Sequence, residues 1–161
     1  MTRATARTST RGFTLIEILI VVVILGILAA IGLPLFGQVR GDTERSAFVQ
    51  DMRIIRDAAM VYRLQSGEHV GDSSSGQLPP ELAEFISQSK WEQGTPIGGV
   101  WDAERDSFGV TAAIGVHFNG TGIARDAAFM AEIDQILDDG DVLTGAFRQI
   151  DSDRYYWITE E

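Results

Sequence analysis

The chain has no cysteine and only two histidines among its 161 residues. The first absence excludes disulfides, thiolate nucleophiles and cysteine-bound metal. The second leaves His69 and His117, one in a loop-like stretch and one in a strand-like stretch, without the spacing of an HExxH zinc site. There is no phosphate-binding loop and no nucleophile elbow. Positive charge is also scarce: 13 Lys and Arg face 23 Asp and Glu, for a net charge of −10. Three of the arginines, Arg3, Arg7 and Arg11, precede residue 12 with no acid among them, so the rest of the chain carries −13. Such a balance offers no basic face for nucleic acid. The length suits one modest domain with a terminal anchor.

What is present is a long apolar run near the N-terminus. Ile18 to Leu33 holds only apolar residues and glycine. As a helix, Phe13 to Phe36 would span ~36 Å at 1.5 Å per residue, enough to cross a hydrocarbon core of about 30 Å. The leader arginines all lie on one flank, which predicts a cytoplasmic N-terminus. Glu17 sits one turn inside this run. A carboxylate at the bilayer centre costs roughly 2.5–3.5 kcal/mol on insertion scales, so it calls for a partner. An amino terminus at Phe13, created by a cut after Gly12, would lie on the same helix face four residues away. An ordinary secretory signal is a competing reading, but its nearest small-residue site, Leu28-Ala29-Ala30, lacks a small residue at −3. A plain signal anchor gives no reason for Glu17.

Arg11-Gly12-Phe13-Thr14-Leu15-Ile16-Glu17, followed by the apolar run, resembles the processing motif of type IV pilins and type II secretion pseudopilins. The resemblance extends over about residues 1–66 and is most specific over 11–36. It implies a leader at 1–12 removed by a prepilin peptidase, N-methylation of Phe13, and a membrane and filament-core helix at 13–36. An amphipathic helix at 37–66 and a periplasmic domain at 67–161 would follow. It further implies pairing of Glu17 with the amine of an adjacent Phe13, and partners that are copies of the chain, other pilin-like subunits and an inner-membrane assembly platform. Pro34 falls where the family has its helix proline. It removes a hydrogen bond to the Ala30 carbonyl, which suits either a tolerated kink or a segment that unwinds on assembly. Many type IV pilins close their C-terminal region with a disulfide, which this chain cannot form; that tilts the reading toward a pseudopilin or a cysteine-free pilin.

Beyond Gln38, Phe48, Met52, Ile55, Ala59 and Tyr62 recur at helical spacing, with Ile54, Ala58 and Val61 widening the stripe. Ser66-Gly67 supplies a stop, so one helix over Phe13–Gln65 is expected. Gly67–Gln77 reads as a loop, and Pro80 opens a short helical stretch. Lys90–Asp102 reads as an irregular connection anchored by Trp91 and Trp101. Ser107–Asn119 alternates at period two and is expected as one strand, with Asn119-Gly120 as a turn. A helix over Arg125–Leu137, ended by Gly140, and strands at Val142–Ile150 and Arg154–Thr159 complete the expectation. The fold class is α+β: a long N-terminal helix on a small, mainly antiparallel sheet of at least three strands, with one or two short helices.

Three acidic clusters bear on chemistry: Asp102, Glu104 and Asp106; Asp138, Asp139 and Asp141; and Asp151 with Asp153. Calcium requires several oxygen ligands. None of these clusters has EF-hand spacing, and solvated turns in an acidic protein are the more ordinary explanation. The resemblance implies a calcium site in the C-terminal loops, for which Asp138, Asp139 and Asp141 are the candidates. The leading expectation is a filament subunit, not an enzyme: a pseudopilin of a type II secretion machine, or alternatively a major or minor pilin serving motility, adhesion or DNA uptake. A membrane-anchored enzyme or binding domain is the rival from a different class.

Overall fold

The computed structural model describes residues 12–119 and 125–161, with the backbone alone over 33–39. The leader arginines and Gly120 lie outside the described residues. The chain forms two compact units, Met1–Gly41 and Asp42–Glu161. A single 52-residue helix, α1 (Leu15–Ser66), runs through both. In the first unit it is apolar all round and every described side chain from Phe13 to Ile31 is exposed. No polar face selects a packing direction there. Leu15–Gly32 is long and apolar enough to cross a membrane. The backbone stays helical through position 34, whose side chain lies outside the described ones.

From Asp42 onward α1 becomes amphipathic in earnest. Phe48, Met52, Ile55 and Ala59 are buried on one face, at the i, i+4, i+7, i+11 spacing that aligns side chains along a helix. Val49 and Ala58 join them, whereas Ile54 and Val61 remain exposed. The widened stripe expected from sequence therefore divides: Ala58 belongs to the core and its two neighbours do not.

The sheet has four antiparallel strands, β1 (Val100–Ser107), β2 (Val110–His117), β3 (Phe147–Asp151) and β4 (Arg154–Glu160). Their order is β1-β2-β4-β3. Short helices α2 (Gln88–Glu92) and α3 (Ala127–Leu137) and a 3-10 turn at Pro80–Leu82 fill the connections. The core lies between α1 and the sheet. Phe48 stacks on Trp101 with ring centroids 5.4 Å apart and meets Phe147 edge-on at 6.3 Å. Trp91 sits 6.2 Å from Trp101. Such aromatic pairs contribute about 0.5–1.5 kcal/mol each beyond their area. Ion pairs fasten the helices to α1: Lys90 to Asp51 at 2.6 Å, Arg125 to Glu44, and Arg45 to Glu132.

Three expectations change. The stretch Lys90–Asp102 is irregular only over 93–99: its first residues belong to α2 and its last to β1. The alternation over Ser107–Asn119 is not one strand. Ser107 pairs with Val110 across a two-residue turn, and both Phe108 (φ 51°) and Gly109 (φ 79°) are left-handed, as a type I′ hairpin requires. Phe108 thus stands at the tip, where its apolar character mimicked strand alternation. Last, residues 142–146 are loop, and β3 begins at Phe147.

Gly115 shows how tightly the sheet is closed. A Cβ there would lie 2.1 Å from the Tyr155 carbonyl oxygen and 2.5 Å from Tyr156 Cα. Gly115→Ala is expected to lower stability by about 1–3 kcal/mol, the usual cost of overpacking. An unchanged melting temperature in thermal denaturation would contradict this packing.

Candidate functional site

The N-terminus of α1 answers the charge of Glu17 locally. Thr14 is the residue before the helix, and its carbonyl accepts from Ile18 N at 3.4 Å. Its backbone N–H and its hydroxyl both donate to Glu17 Oε2, each at 2.8 Å. Glu17 N in turn donates to Thr14 Oγ1 at 3.3 Å. This is a reciprocal capping box, Thr-x-x-Glu, with the carboxylate also at the favourable end of the helix dipole. Thr14 was not singled out by sequence reasoning, although the box spacing was there to read. Gly12 and Phe13 precede the helix and are exposed, which leaves the bond between them sterically open. Glu17 and Phe13 lie on one short stretch, while Pro34 is about five turns further along α1.

A second constellation lies after α3. Asp138, Asp139 and Asp141 order the loop: Asp138 accepts from Ala146 N, Asp139 from Asp141 N at 2.8 Å, and Asp141 from Leu143 N at 3.1 Å. Gly145 (φ 75°) is required here, because a Cβ would come 2.1 Å from Asp138 Oδ2. Asp134, on the last turns of α3, is the residue that sequence reasoning missed. Its carboxylate lies with those of Asp138 and Asp139, oxygens within 4.8 Å of one another. Asp134 is 0% exposed, and neither oxygen has a hydrogen-bond partner among the described residues. Burial, then the Asp139 and Asp138 carboxylates, push its carboxyl up to about 6. A carboxylate so placed is either protonated or matched by a cation. Asp141 stays with the loop turn and is not among the three converging carboxylates.

The two histidines separate. His117 joins a buried polar network on the sheet, with Ser75 Oγ 2.8 Å from its Nδ1 and Asp153 Oδ2 3.1 Å from its Nε2. The Ser75 hydroxyl also reaches Asp102 Oδ2 at 2.9 Å. Asp102 further accepts from Arg154 at 2.7 Å and from the Tyr156 hydroxyl at 2.6 Å. Glu104 pairs with Arg154, whose guanidinium lies over the Phe108 ring. Burial and then Asp102 hold the Tyr156 hydroxyl above its ordinary range. A serine, a histidine and an aspartate meet here, yet each is spent on joining the loop before β1 to β1, β2 and the β3–β4 turn. The first and third acidic clusters are thus split: Asp102, Glu104 and Asp153 serve this network, whereas Asp106 and Asp151 are exposed.

Two outcomes follow from these geometries. Thr14→Ala removes the box and should weaken the first turn of α1 by about 1 kcal/mol, read as roughly fivefold faster amide exchange at Glu17 in detergent micelles. Separately, a carboxyl raised from 3.8 to about 6 binds its proton more tightly in the folded state. Stability in the presence of a chelator should then rise as pH falls from 7 through 6 toward 4. Asp134→Asn should melt higher than the parent at pH 7, with the difference shrinking over that window; a pH-independent difference would contradict the assignment.

Comparison with known proteins agrees with the N-terminal geometry. Over 63 residues the chain is 36% identical to the type II secretion system core protein G of Klebsiella michiganensis, covering 39% of this chain and 44% of that protein. The chain thus spans under half the length of the curated relative it matches. Residues 7–33 match the family model described as the prokaryotic N-terminal methylation motif. Residues 7–33 of this chain thus carry a match to the prokaryotic N-terminal methylation motif, and a 63-residue stretch is similar to a type II secretion system core protein.

Proposed function

We propose that this chain is a structural subunit of a type IV pilus-like filament, a pseudopilin of a type II secretion system. One observation carries the reading: an ionisable Glu17 in the first turn of an exposed apolar helix, within a methylation motif. In this scheme a prepilin peptidase cleaves between Gly12 and Phe13 and the new Phe13 amine is methylated. The subunit waits in the inner membrane with its N-terminus cytoplasmic and residues 42–161 periplasmic. On assembly, Glu17 leaves Thr14 for the ammonium of a neighbouring Phe13, because in an apolar helix bundle those two charges are each other's best partners. Pro34 supplies a position at which the helix gives way as subunits leave the bilayer. The network around His117 then serves as scaffold, and the chain acts by assembling, not by catalysis. A major or minor pilin of a type IV pilus is the alternative; the 36% identity to a secretion core protein favours the pseudopilin.

Calcium belongs to the same proposal. Asp134, Asp138 and Asp139 supply hard carboxylate oxygens of the kind calcium prefers. The orphaned, buried Asp134 oxygens fit such an ion better than they fit solvent. Bound there, calcium would neutralise three converging charges and fix the loop that leads into β3. Calcium should raise the melting temperature of the parent by several degrees and leave Asp134→Asn unmoved. No calcium response in the parent would remove the ion from the account.

The pairing role has its own test. Glu17→Ala should be cleaved after Gly12 at close to the parental rate while its recovery in filaments drops at least tenfold. Parental filament yield in that variant would contradict the pairing.

A further inference from the structure

The polar network around His117 has more contacts than its hydrogens can serve, unless the imidazole ring carries two of them. Asp102 is 0% exposed, and its two oxygens meet four donors. These are Ser75 Oγ at 2.9 Å, Arg154 Nη1 at 2.7 Å, the Tyr156 hydroxyl at 2.6 Å and Ala103 N at 3.1 Å. A carboxyl so surrounded is ionised and accepts without donating. The Ser75 hydroxyl has a single proton, and the contact with Asp102 uses it. Ser75 Oγ is then the acceptor in its 2.8 Å contact with His117 Nδ1, so Nδ1 carries a hydrogen. Across the ring, Nε2 lies 3.1 Å from Asp153 Oδ2, another acceptor, and needs a hydrogen as well. A neutral imidazole has one N–H; the imidazolium has two.

The charges around the ring point the same way. Asp102 and Glu104 face it from β1, Asp153 from the β3–β4 turn, and Arg154 and Tyr156 from β4. Burial keeps the Tyr156 hydroxyl protonated. Among the described residues of the network, three carboxylates therefore share one guanidinium. Arg154 stands opposite His117 in the β2–β4 register, but its guanidinium is committed to Asp102 and Glu104. An imidazolium, 3.6 Å from Asp102 and 3.1 Å from Asp153, supplies a second cation where Asp102, Glu104 and the ring itself are all buried.

The ring secures a strap. Strand β1 lies at one edge of the sheet, and residues 73–76 run along it. Ser73 N donates to Ala103 O at 3.3 Å and Gly76 N to Trp101 O at 2.8 Å. Ser75, between them, makes the side-chain contacts to His117 and Asp102. An uncovered strand edge is a template for pairing with another chain.

We propose that a proton held on His117 locks this strap over the edge of β1, giving the domain a latch that responds to pH. With the ring protonated, hydrogen bonds run in one direction, from Nδ1–H through Ser75 to Asp102. When Nδ1 loses its hydrogen, Ser75 turns its own toward the ring. Its oxygen then faces Asp102 Oδ2 across 2.9 Å with lone pairs on both sides. The strap loses a charge-assisted hydrogen bond, and the edge of β1 opens. The latch belongs to residues 42–161 and is independent of the filament reading.

The test uses the full-length chain with isotope-labelled histidine in detergent micelles. At pH 7 both ring nitrogens of His117 should give protonated signals in nuclear magnetic resonance; one protonated nitrogen would overturn the latch. Amide exchange at Gly76, corrected for its intrinsic pH dependence, is the second readout. Protection there should be full while the ring holds both hydrogens and fall about tenfold as rising pH removes one, the factor expected for one hydrogen bond to a charged group. A flat profile in the parent would contradict the proposal. Ser75→Ala keeps the ring and breaks the relay. Its Gly76 amide should exchange about tenfold faster than the parent's at pH 7, with no step as the ring titrates. Parental protection with a parental step in that variant would overturn the relay through Ser75.

Discussion

A carboxylate in the first turn of an apolar helix needs a partner, and most of what is distinctive about this chain follows from that constraint. In the single subunit the partner is Thr14. Four hydrogen bonds link it to Glu17, three of them through a side chain, and close the helix end at the same time. A capping box contributes on the order of 1 kcal/mol, and an ion pair taken into an apolar surrounding has to offset its own desolvation before it adds to that. Thr14 holds the charge in place without holding it irreversibly.

The rest of α1 extends the same logic of faces. In the first unit, the helix is apolar on every face and its described side chains from Leu15 to Ile31 are exposed. In the second unit, one face closes the core through Phe48, Met52 and Ile55 against Trp101 and Phe147, and the opposite face keeps Ile54, Val61 and Leu64 in water. Most acids of residues 67–161 stand exposed in loops and short helices, and where acids turn inward they are answered. Asp102 and Glu104 meet Arg154 and Tyr156. Asp134 is the exception, buried without a hydrogen-bond partner among the described residues.

The legible parts of the sequence were those in which one pattern had one explanation. Gly12-Phe13 and Glu17 stand out against an apolar run, and the Phe48–Ala59 stripe has helical period and becomes the core face. The long helix, the sheet and the final hairpin follow from such periods. What escaped was set by partners remote in sequence. Strand β1 reads as irregular because Asp102 and Glu104 look like solvated charges until Arg154, about fifty residues away, is placed beside them. The β1–β2 turn was hidden because Phe108 continues the alternation and no Asn-Gly announces a type I′ turn. Asp134 sits within the amphipathic pattern of α3 as an ordinary polar residue. Only the fold brings Asp138 and Asp139 back onto it, since α3 ends at Leu137, three residues before the Gly140 expected to stop it.

The central claim is that the chemistry of this chain is carried out on its N-terminus, at the bond between Gly12 and Phe13. Edman or mass-spectrometric sequencing of the protein purified from membranes tests it most directly. The account predicts a first residue of N-methylated Phe13. A chain beginning at Ile31 would mean an ordinary signal peptide, and one beginning at Met1 an uncleaved anchor. Either result would contradict the account.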